Sequence, residues 1–238
     1  MGILDLFLSE EKKILKHTRR LTNRDAQPED REASVVWLAD NGSPRAITGL
    51  LTRFDMNLDH HLKDSGEKDV LFQVLAELGV DKLDRPLRTW LRKCRQFALP
   101  LRLLEQTCGK PAAVDMAFEL LRIELEKDNF KPEKKHQLLV WLADGSDPRC
   151  VEAAVPFLRD FDEGVRYAAV ELLFKQEGDG AKEPLVARML DEDEDSNRLK
   201  IRIAEGLVAK AWDLGEVAPE PDRLPEGFAM RAGKVVRA

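Results

Sequence analysis

The sequence has no long hydrophobic run and few of the residues that carry disulfide chemistry. No apolar stretch approaches the roughly 20 residues that a membrane-spanning helix requires, and no signal peptide is visible. There are only three cysteines, Cys94, Cys108 and Cys150, and their wide spacing does not form a disulfide framework. These absences argue against the membrane-spanning and the disulfide-rich secreted classes, and we expect a cytoplasmic protein.

Residues suited to catalysis and metal binding are also scarce. Histidine, the usual general base, occurs only at His17, His60, His61 and His136. The pair His60-His61 could offer metal ligands, but adjacent side chains rarely converge on one ion, and no second cluster supplies further ligands. We expect Cys150 to be a buried structural thiol, and no glycine motif that cradles a phosphate is present. The sequence therefore predicts no catalytic residue, no metal and no cofactor.

Aromatic residues are few as well, at 6% of the 238 residues, whereas hydrophobic residues make up 43% and charged residues 34%. An apolar fraction of that size can offset the entropy lost on ordering, which argues against disorder over most of the chain. Abundant Leu, Ala, Glu and Arg are typical of a helical protein with a large solvated surface.

Helical periodicity dominates the chain from Arg31 to Trp212, where apolar residues recur three and four apart and almost nothing alternates with period two. Breakers such as Asn41-Gly42-Ser43-Pro44 separate the blocks, and proline there suits the first turn of a helix. The stretch 56–65 is predicted to be a longer loop. The spacing predicts helices over 4–21, 29–40, 44–54, 67–78, 84–95, 97–108, 111–127, 132–143, 147–159, 163–176, 180–190 and 196–212.

The helical blocks also resemble one another. Val36-Trp37-Leu38-Ala39-Asp40 returns letter for letter as Val140-Trp141-Leu142-Ala143-Asp144, and each copy is followed by a Gly/Ser turn and Pro-Arg. Further matches lie at shifts of 15 residues, from 147–158 to 162–173, and of 34 residues, from 165–173 to 199–207. Such repetition indicates stacked helix pairs, each burying its apolar face on the next.

With these repeats the chain resembles the α-solenoids of the HEAT-repeat family, in the short-repeat variety of the phycobilisome-lyase-like proteins. The segment Asp162–Leu173 carries the resemblance, with Asp at the turn, Val-Arg opening the helix, and Ala and Leu on the packed face. Weaker copies begin at Asp147 and Leu199. The resemblance implies an all-α solenoid of about five antiparallel helix pairs; it specifies stacking and no chemistry.

The two ends depart from the repeat, so we expect a solenoid domain over 26–214 with an element at each end. Residues 1–25 form a basic amphipathic helix, which we interpret as a cap on the first repeat; a membrane-surface anchor would look similar. Residues 215–238 contain Pro219, Pro221 and Pro225, which forbid a continuous helix. This arm is expected to end in a short extended segment or a hairpin about Ala232-Gly233.

The most informative charge feature is a stripe of arginines spaced three, four and three residues apart along one predicted helix: Arg85, Arg88, Arg92 and Arg95. The surrounding segment 82–102, which includes Arg102, holds seven basic residues against one acid. It therefore carries +6, whereas the rest of this chain of net charge −6 carries −12. Guanidinium groups crowded on one face favour carboxylates or phosphates as partners.

We predict that Arg85, Arg88, Arg92, Arg95 and Arg102 bind a partner. The overall acidity favours a protein with an acidic surface, or a small anionic partner, over nucleic acid. The predicted function is a non-catalytic scaffold or adaptor that binds another protein. The alternative is that acids of a neighbouring helix, such as Glu105 or Glu119, neutralise the stripe.

Two other functions stay open. The HEAT-like DNA glycosylases hold a damaged base with Trp and Asp, and here Trp37 and Trp141 each stand three residues before an Asp. Repetition at matched positions favours core packing for both, since an active site is needed only once. A bilin lyase-like role rests on fold analogy alone. HEAT-repeat di-iron hydroxylases bind their metal with His-Glu pairs. No His of this sequence precedes Glu, so the sequence excludes that enzyme class.

The five consecutive acids Asp191–Asp195 are a second charge feature. They are predicted to form a solvated turn that also places negative charge at the start of the next helix. A docking site for a basic partner is the alternative.

Overall fold

The predicted all-α class is confirmed by the computed structural model, which describes residues 9–127 and 132–238. The described residues form twelve α-helices and one two-stranded hairpin. The helices are α1 Glu10–Leu21, α2 Pro28–Asn41, α3 Pro44–Leu51, α4 His61–Glu77, α5 Val80–Leu91, α6 Ala98–Cys108, α7 Lys110–Glu126, α8 Pro132–Leu142, α9 Arg149–Ala154, α10 Glu163–Lys175, α11 Lys182–Met189 and α12 Asn197–Lys210. The strands are β1 Phe228–Arg231 and β2 Lys234–Arg237.

Local sequence signals account for most helix boundaries. The Ser43 hydroxyl accepts a hydrogen bond from the backbone N–H of Ala46 at the start of α3, with Pro44 in the first turn. Asp162 caps α10 and Ser196 caps α12 in the same way. Gly42, with φ of 60°, ends α2 in the left-handed conformation that glycine adopts without steric cost.

Several predicted boundaries are shifted, among them the start of α5, which lies at Val80 and not at residue 84. Two of the errors trace to side chains that bond to backbone amides. The long loop predicted over 56–65 ends at His60, because His60 accepts a hydrogen bond from Lys63 N–H and starts α4 at His61. The helix predicted over 84–95 ends at Leu91. The Asp55 carboxylate accepts hydrogen bonds from the backbone N–H groups of Arg95 and Gln96, which turns the chain towards α6.

The chain divides into two compact units, Met1–Leu120 and Leu121–Ala238. The division falls inside α7, within the range 26–214 that the sequence analysis treats as one domain. Each unit has its own apolar core: Leu38, Leu50 and Leu75 are fully buried in the first, and Leu173 and Leu185 in the second.

The first unit begins with α1, which packs against α2 and α3. Ile14 and Leu21 are its buried residues, whereas Leu15 is partly exposed. The predicted start of this helix, residues 4–8, lies outside the described residues. Gly49 of α3 lets α1 approach closely, because a Cβ atom there would lie 2.4 Å from the Thr18 hydroxyl.

The second unit ends in the hairpin that the sequence predicts about Ala232-Gly233. Strands β1 and β2 pair antiparallel with Arg231 opposite Lys234, and both turn residues have positive φ, as a tight two-residue turn requires. Strand β2 packs against α12, where Arg237 pairs with Glu205. The arm therefore belongs to the packed part of the second unit.

The repeated pentapeptide has the same burial pattern in both units. In Val36–Asp40, at the end of α2, the residues are exposed, half-buried, buried, half-buried and exposed in turn. Val140–Asp144, at the end of α8, shows the same order. Only the central leucine of each copy is fully packed, so both copies present the same face to their own core.

Replacement of glycine by alanine should change the stability of the protein in opposite directions at two helical positions. A Cβ atom at Gly206 would lie 2.2 Å from the ring of Phe174, so we expect Gly206→Ala to lower the free energy of unfolding by about 1–3 kcal/mol. A Cβ atom at Gly66 meets nothing within 4 Å, so Gly66→Ala should raise it by about 0.5–1 kcal/mol. Urea titrations measure both, and a change of equal sign would contradict this account of the two helices.

Candidate functional site

The predicted arginine stripe lies on α5 and the turn that follows it. Arg85 and Arg88 are on α5, and Arg92 is the residue that caps its C-terminal end. Because α5 ends at Leu91, Arg95 lies in the turn before α6 instead of continuing the helix face. Arg102 is on α6. The prediction of one continuous stripe is therefore wrong beyond Arg92.

Two of the arginines are paired with acids. Arg88 donates to Asp84 one turn earlier on α5, with 2.6 Å between Nε and Oδ1. Arg92 forks onto the Glu119 carboxylate at 2.7 and 3.2 Å. The hydrogen bonds that Arg92 donates to Glu119 raise the pKa of Arg92, so this guanidinium stays charged. Pairing with Glu119, one of the two acids that the sequence analysis names as neutralising partners, is confirmed.

Arg95 and Arg102 make different contacts. The Arg95 side chain donates to the Asp55 carbonyl oxygen at 3.1 Å, and Arg102 lies over the Phe72 ring at 5.2 Å from its centroid. Arg85 is exposed and makes no ion pair with any described residue. Except for the half-buried Arg88, the five arginines are exposed, so much of the positive charge of 82–102 faces solvent. We call the exposed residues Lys82, Arg85, Arg92, Lys93, Arg95 and Arg102 the basic surface.

A buried ion cluster in the first unit is a feature that the sequence analysis missed. Arg53, only 1% exposed, donates to Asp64 at 2.9 Å and to Glu67 at 3.0 Å. Arg31 of α2 donates to the same Glu67 carboxylate at 2.6 Å, and Lys68 pairs with Asp64 at 2.7 Å. The cluster ties α2, α4 and the 3₁₀ turn Thr52–Asp55 together. Asp64 and Lys68 are one turn apart on α4, but only tertiary contact brings Arg31 and Arg53 to them, and Arg31 is 37 positions from Lys68.

The carboxyl groups of this cluster are held in their charged form. Burial alone would raise the pKa of Glu67, but hydrogen bonds from Arg31 and Arg53 outweigh it and hold the pKa below its ordinary value. The pKa of Asp64 is lowered in the same way, by Lys68, the Leu58 amide and Arg53 against the effect of burial. Both carboxyl groups are therefore ionised at neutral pH.

The second unit holds a similar cluster, and it corrects the interpretation of the acidic run. Glu194, predicted to be part of a solvated turn, has a fully buried side chain that pairs with Arg166 of α10 and Arg188 of α11. Asp191 pairs with Arg188 at 3.1 Å. Only part of the run faces solvent, as Asp195 does with 93% of its side chain exposed. The buried arginines are the reason that the acids turn inward.

An apolar groove lies between α2 and α4 in the first unit. It encloses about 300 Å³ and is lined mainly by Leu21, Pro28, Val35, Val36, Val70, Leu71 and Val74, with Gly66 at its edge. Arg31, Arg53 and Glu67 of the buried cluster also line it, together with Glu32. Its apolar lining with few polar groups has the character of a binding site, and its volume is at the lower end of the range for ligand pockets.

A more polar cavity of about 510 Å³ lies in the second unit, between the start of α12 and the C-terminal arm. Lys200, Glu192 and Glu226 line it, and Arg223 of the arm donates to the Leu190 carbonyl oxygen at 2.7 Å. Acidic and basic side chains are mixed in its lining, so its charge selects neither anions nor cations.

The tryptophans named in the sequence analysis are only half-buried. Trp37 stacks on His17 with 4.3 Å between ring centroids and 10° between planes, and Trp141 is half-buried at the matched position. One face of Trp37 is therefore occupied by the protein itself. Trp90, on α5, is buried.

Cys150 and His60 both have structural roles. Cys150 is buried, as expected, and burial raises the pKa of its thiol to about 11, which leaves it protonated and weakly nucleophilic at neutral pH. His60 acts as a helix cap. Across 9–127 and 132–238, no cluster of three or more His, Cys, Asp or Glu side chains could hold a metal ion.

Comparison of the chain with protein-family models and with curated proteins finds no match. No described helix combines the length and the apolarity needed to cross a lipid bilayer.

Proposed function

We propose that the protein is a non-catalytic, HEAT-like scaffold that binds an acidic partner protein through the basic surface. The stacking of its helices as HEAT repeats is part of this proposal. It is supported by the identical burial order of Val36–Asp40 and Val140–Asp144 and by the matched helix caps Asp162 and Ser196.

The observation that carries the proposal is the exposure of the basic surface in an acidic chain. Arg85 faces solvent without an ion pair to any described residue, and the Arg92 side chain is 45% exposed although it contacts Glu119. By contrast, Arg53, Arg166 and Arg188 are buried against carboxylates. The chain thus uses one set of arginines inside the fold and leaves another set available to solvent.

The chemistry of this surface favours carboxylates. A guanidinium presents a planar fork of donors that matches a carboxylate in two parallel hydrogen bonds, as Arg92 does with Glu119. Phosphates would suit the same fork, but the remaining charge of −12 repels an extended polyanion such as DNA. A protein with a compact acidic patch meets the basic surface without that repulsion.

We expect the double variant Arg85→Gln/Arg92→Gln to lose about tenfold in affinity for the partner. The two residues lie two turns apart on one face of α5, and each exposed charge pair contributes up to about 1 kcal/mol. Capture from the native lysate with the wild-type chain identifies the partner, and titration of the purified partner then compares the two chains.

The matched control is Arg24→Gln/Arg231→Gln, which removes two exposed arginines outside the basic surface and should leave the affinity unchanged. Equal retention of the partner by wild type and the α5 variant would refute the proposal. Capture that disappears after nuclease treatment would instead assign the surface to nucleic acid, because phosphate contacts would then supply the affinity.

A further inference from the structure

The groove between α2 and α4 offers apolar surface that the unit leaves uncovered. Val36 on α2 is 55% exposed and Val70 on α4 is 58% exposed, and these two large apolar side chains line the same groove from opposite sides. Val35 and Val74 continue the lining deeper in the groove. Two exposed valines facing one concavity favour burial by a partner.

Gly66 keeps one edge of this groove open. It lies within α4, where alanine would support the helix better, and a Cβ atom there would meet nothing within 4 Å. Because Gly66 lines the groove and has open space beside it, a longer side chain at this position can enter the groove without a clash inside the unit.

The polar groups under the groove are already satisfied. Arg31 donates to Glu67 and to the carbonyl oxygen of Ala26, and Arg53 donates to Glu67, Asp64 and the carbonyl oxygen of Met56. An anionic ligand would have to displace these hydrogen bonds. These polar groups are therefore not available to a ligand, and the groove binds through apolar contact with the valines.

The charge around the groove is negative. The exposed acids of the two helices are Glu29, Asp30, Glu32, Asp40, Asp69 and Glu77. Asp30 pairs with Arg20 of α1 at 3.5 Å, and the other five form no ion pair with a described residue. The only exposed lysine or arginine of α2 and α4 is Lys63. Glu32 itself lines the groove. An occupant with positive charge beside its apolar face would complement this rim.

We propose that this groove binds an amphipathic helix of a partner protein, with aliphatic side chains at helical spacing against the valines and lysine or arginine along its flanks. A helix laid between two helices presents residues at i, i+3, i+4 and i+7 to a groove of this kind. The volume of about 300 Å³ suits a few aliphatic side chains better than a large cofactor. This binding is separate from that of the basic surface and does not depend on it.

The test uses the full chain and a fluorescently labelled 14-residue peptide of leucine and lysine, with leucines on one helical face. We expect Gly66→Leu, which fills the open edge, to weaken binding of this peptide at least tenfold. Gly180→Leu is the matched control, since a Cβ atom at Gly180 also meets nothing within 4 Å, and it should bind as the wild type does. A peptide with glutamate in place of lysine should bind more weakly to every variant.

Val36→Ser and Val140→Ser provide a second matched pair, because both valines are about half exposed at equivalent repeat positions. Only Val36→Ser should weaken peptide binding, and loss of the fold does not account for such a difference because both side chains face solvent. Equal affinities of wild type and Gly66→Leu would overturn the proposal, as would stronger binding of the glutamate peptide. Self-association in sedimentation experiments that Gly66→Leu abolishes would assign the groove to a second copy of the chain instead.

Discussion

Replacement of Arg53 by alanine is expected to lower the free energy of unfolding of the first unit by about 3–5 kcal/mol. Arg53 is 1% exposed and holds both Asp64 and Glu67, so its removal leaves two carboxylates short of their buried counter-charge. The loss exceeds the value of an ordinary ion pair because unpaired charge in the interior is costly to desolvate. Urea unfolding measures the size of the loss, and hydrogen exchange should localise it to peptides from α2, α3 and α4.

Arg45→Ala is the matched control for this prediction. Arg45 also pairs with a carboxylate, that of Glu11, but both side chains are exposed, at 58% and 72%. Its replacement should change the free energy of unfolding by at most about 1 kcal/mol. Similar losses for Arg53→Ala and Arg45→Ala would show that burial of the Arg53 cluster has no energetic consequence.

Replacement of Glu194 by glutamine is expected to destabilise the second unit by about 3–5 kcal/mol. Glutamine keeps the shape of the side chain but removes the charge that Arg166 and Arg188 share, and both arginines are more than nine-tenths buried. Asp195→Asn is the control, because Asp195 contacts the same Arg166 with a side chain that is 93% exposed. The control should cost at most about 1 kcal/mol, and a loss equal to that of Glu194→Gln would contradict the argument.

Glu194 should also make the stability of the second unit depend on pH. Burial would raise the pKa of Glu194, but hydrogen bonds from the Ser196 amide, Arg188 and Arg166 hold it below its ordinary value of 4.5. The unfolded chain therefore binds this proton at higher pH than the folded chain does. The stabilisation by Glu194 is complete above pH 4.5 and is lost as the pH falls through the lowered value. The stability gap between wild type and Glu194→Gln should thus narrow in acid, and a gap that widens would reverse the sign of the shift.

Together these contacts explain how an acidic chain can carry an exposed basic surface. In the first unit, Asp64 and Glu67 pair with the buried Arg53, and in the second unit Glu194 pairs with the buried Arg166 and Arg188. The arginines and lysines that remain exposed on α5 and the following turn are not part of these buried ion pairs. Stability and proposed binding therefore depend on different arginines, which allows variants of the two kinds to be compared separately.

Local pattern was sufficient for most of the secondary structure. Apolar spacing predicts twelve helices, and twelve α-helices occur in the described residues. A hairpin about Ala232-Gly233 was one of the two forms expected for the arm, and both turn residues have the positive φ of a tight turn. The errors at His60 and Leu91 arose where a side chain bonds to the backbone, and in the second case Asp55 acts from 40 residues away.

The sequence by itself determined the helical class, the repeated pentapeptide and the concentration of positive charge in 82–102. Only the tertiary structure decided which charges are available. Arg53 and Arg85 are alike in composition, yet one lies under α4 among carboxylates and the other faces solvent. Helical periodicity places side chains on a face, but whether that face meets acids, apolar groups or water depends on contacts between residues that are distant along the chain.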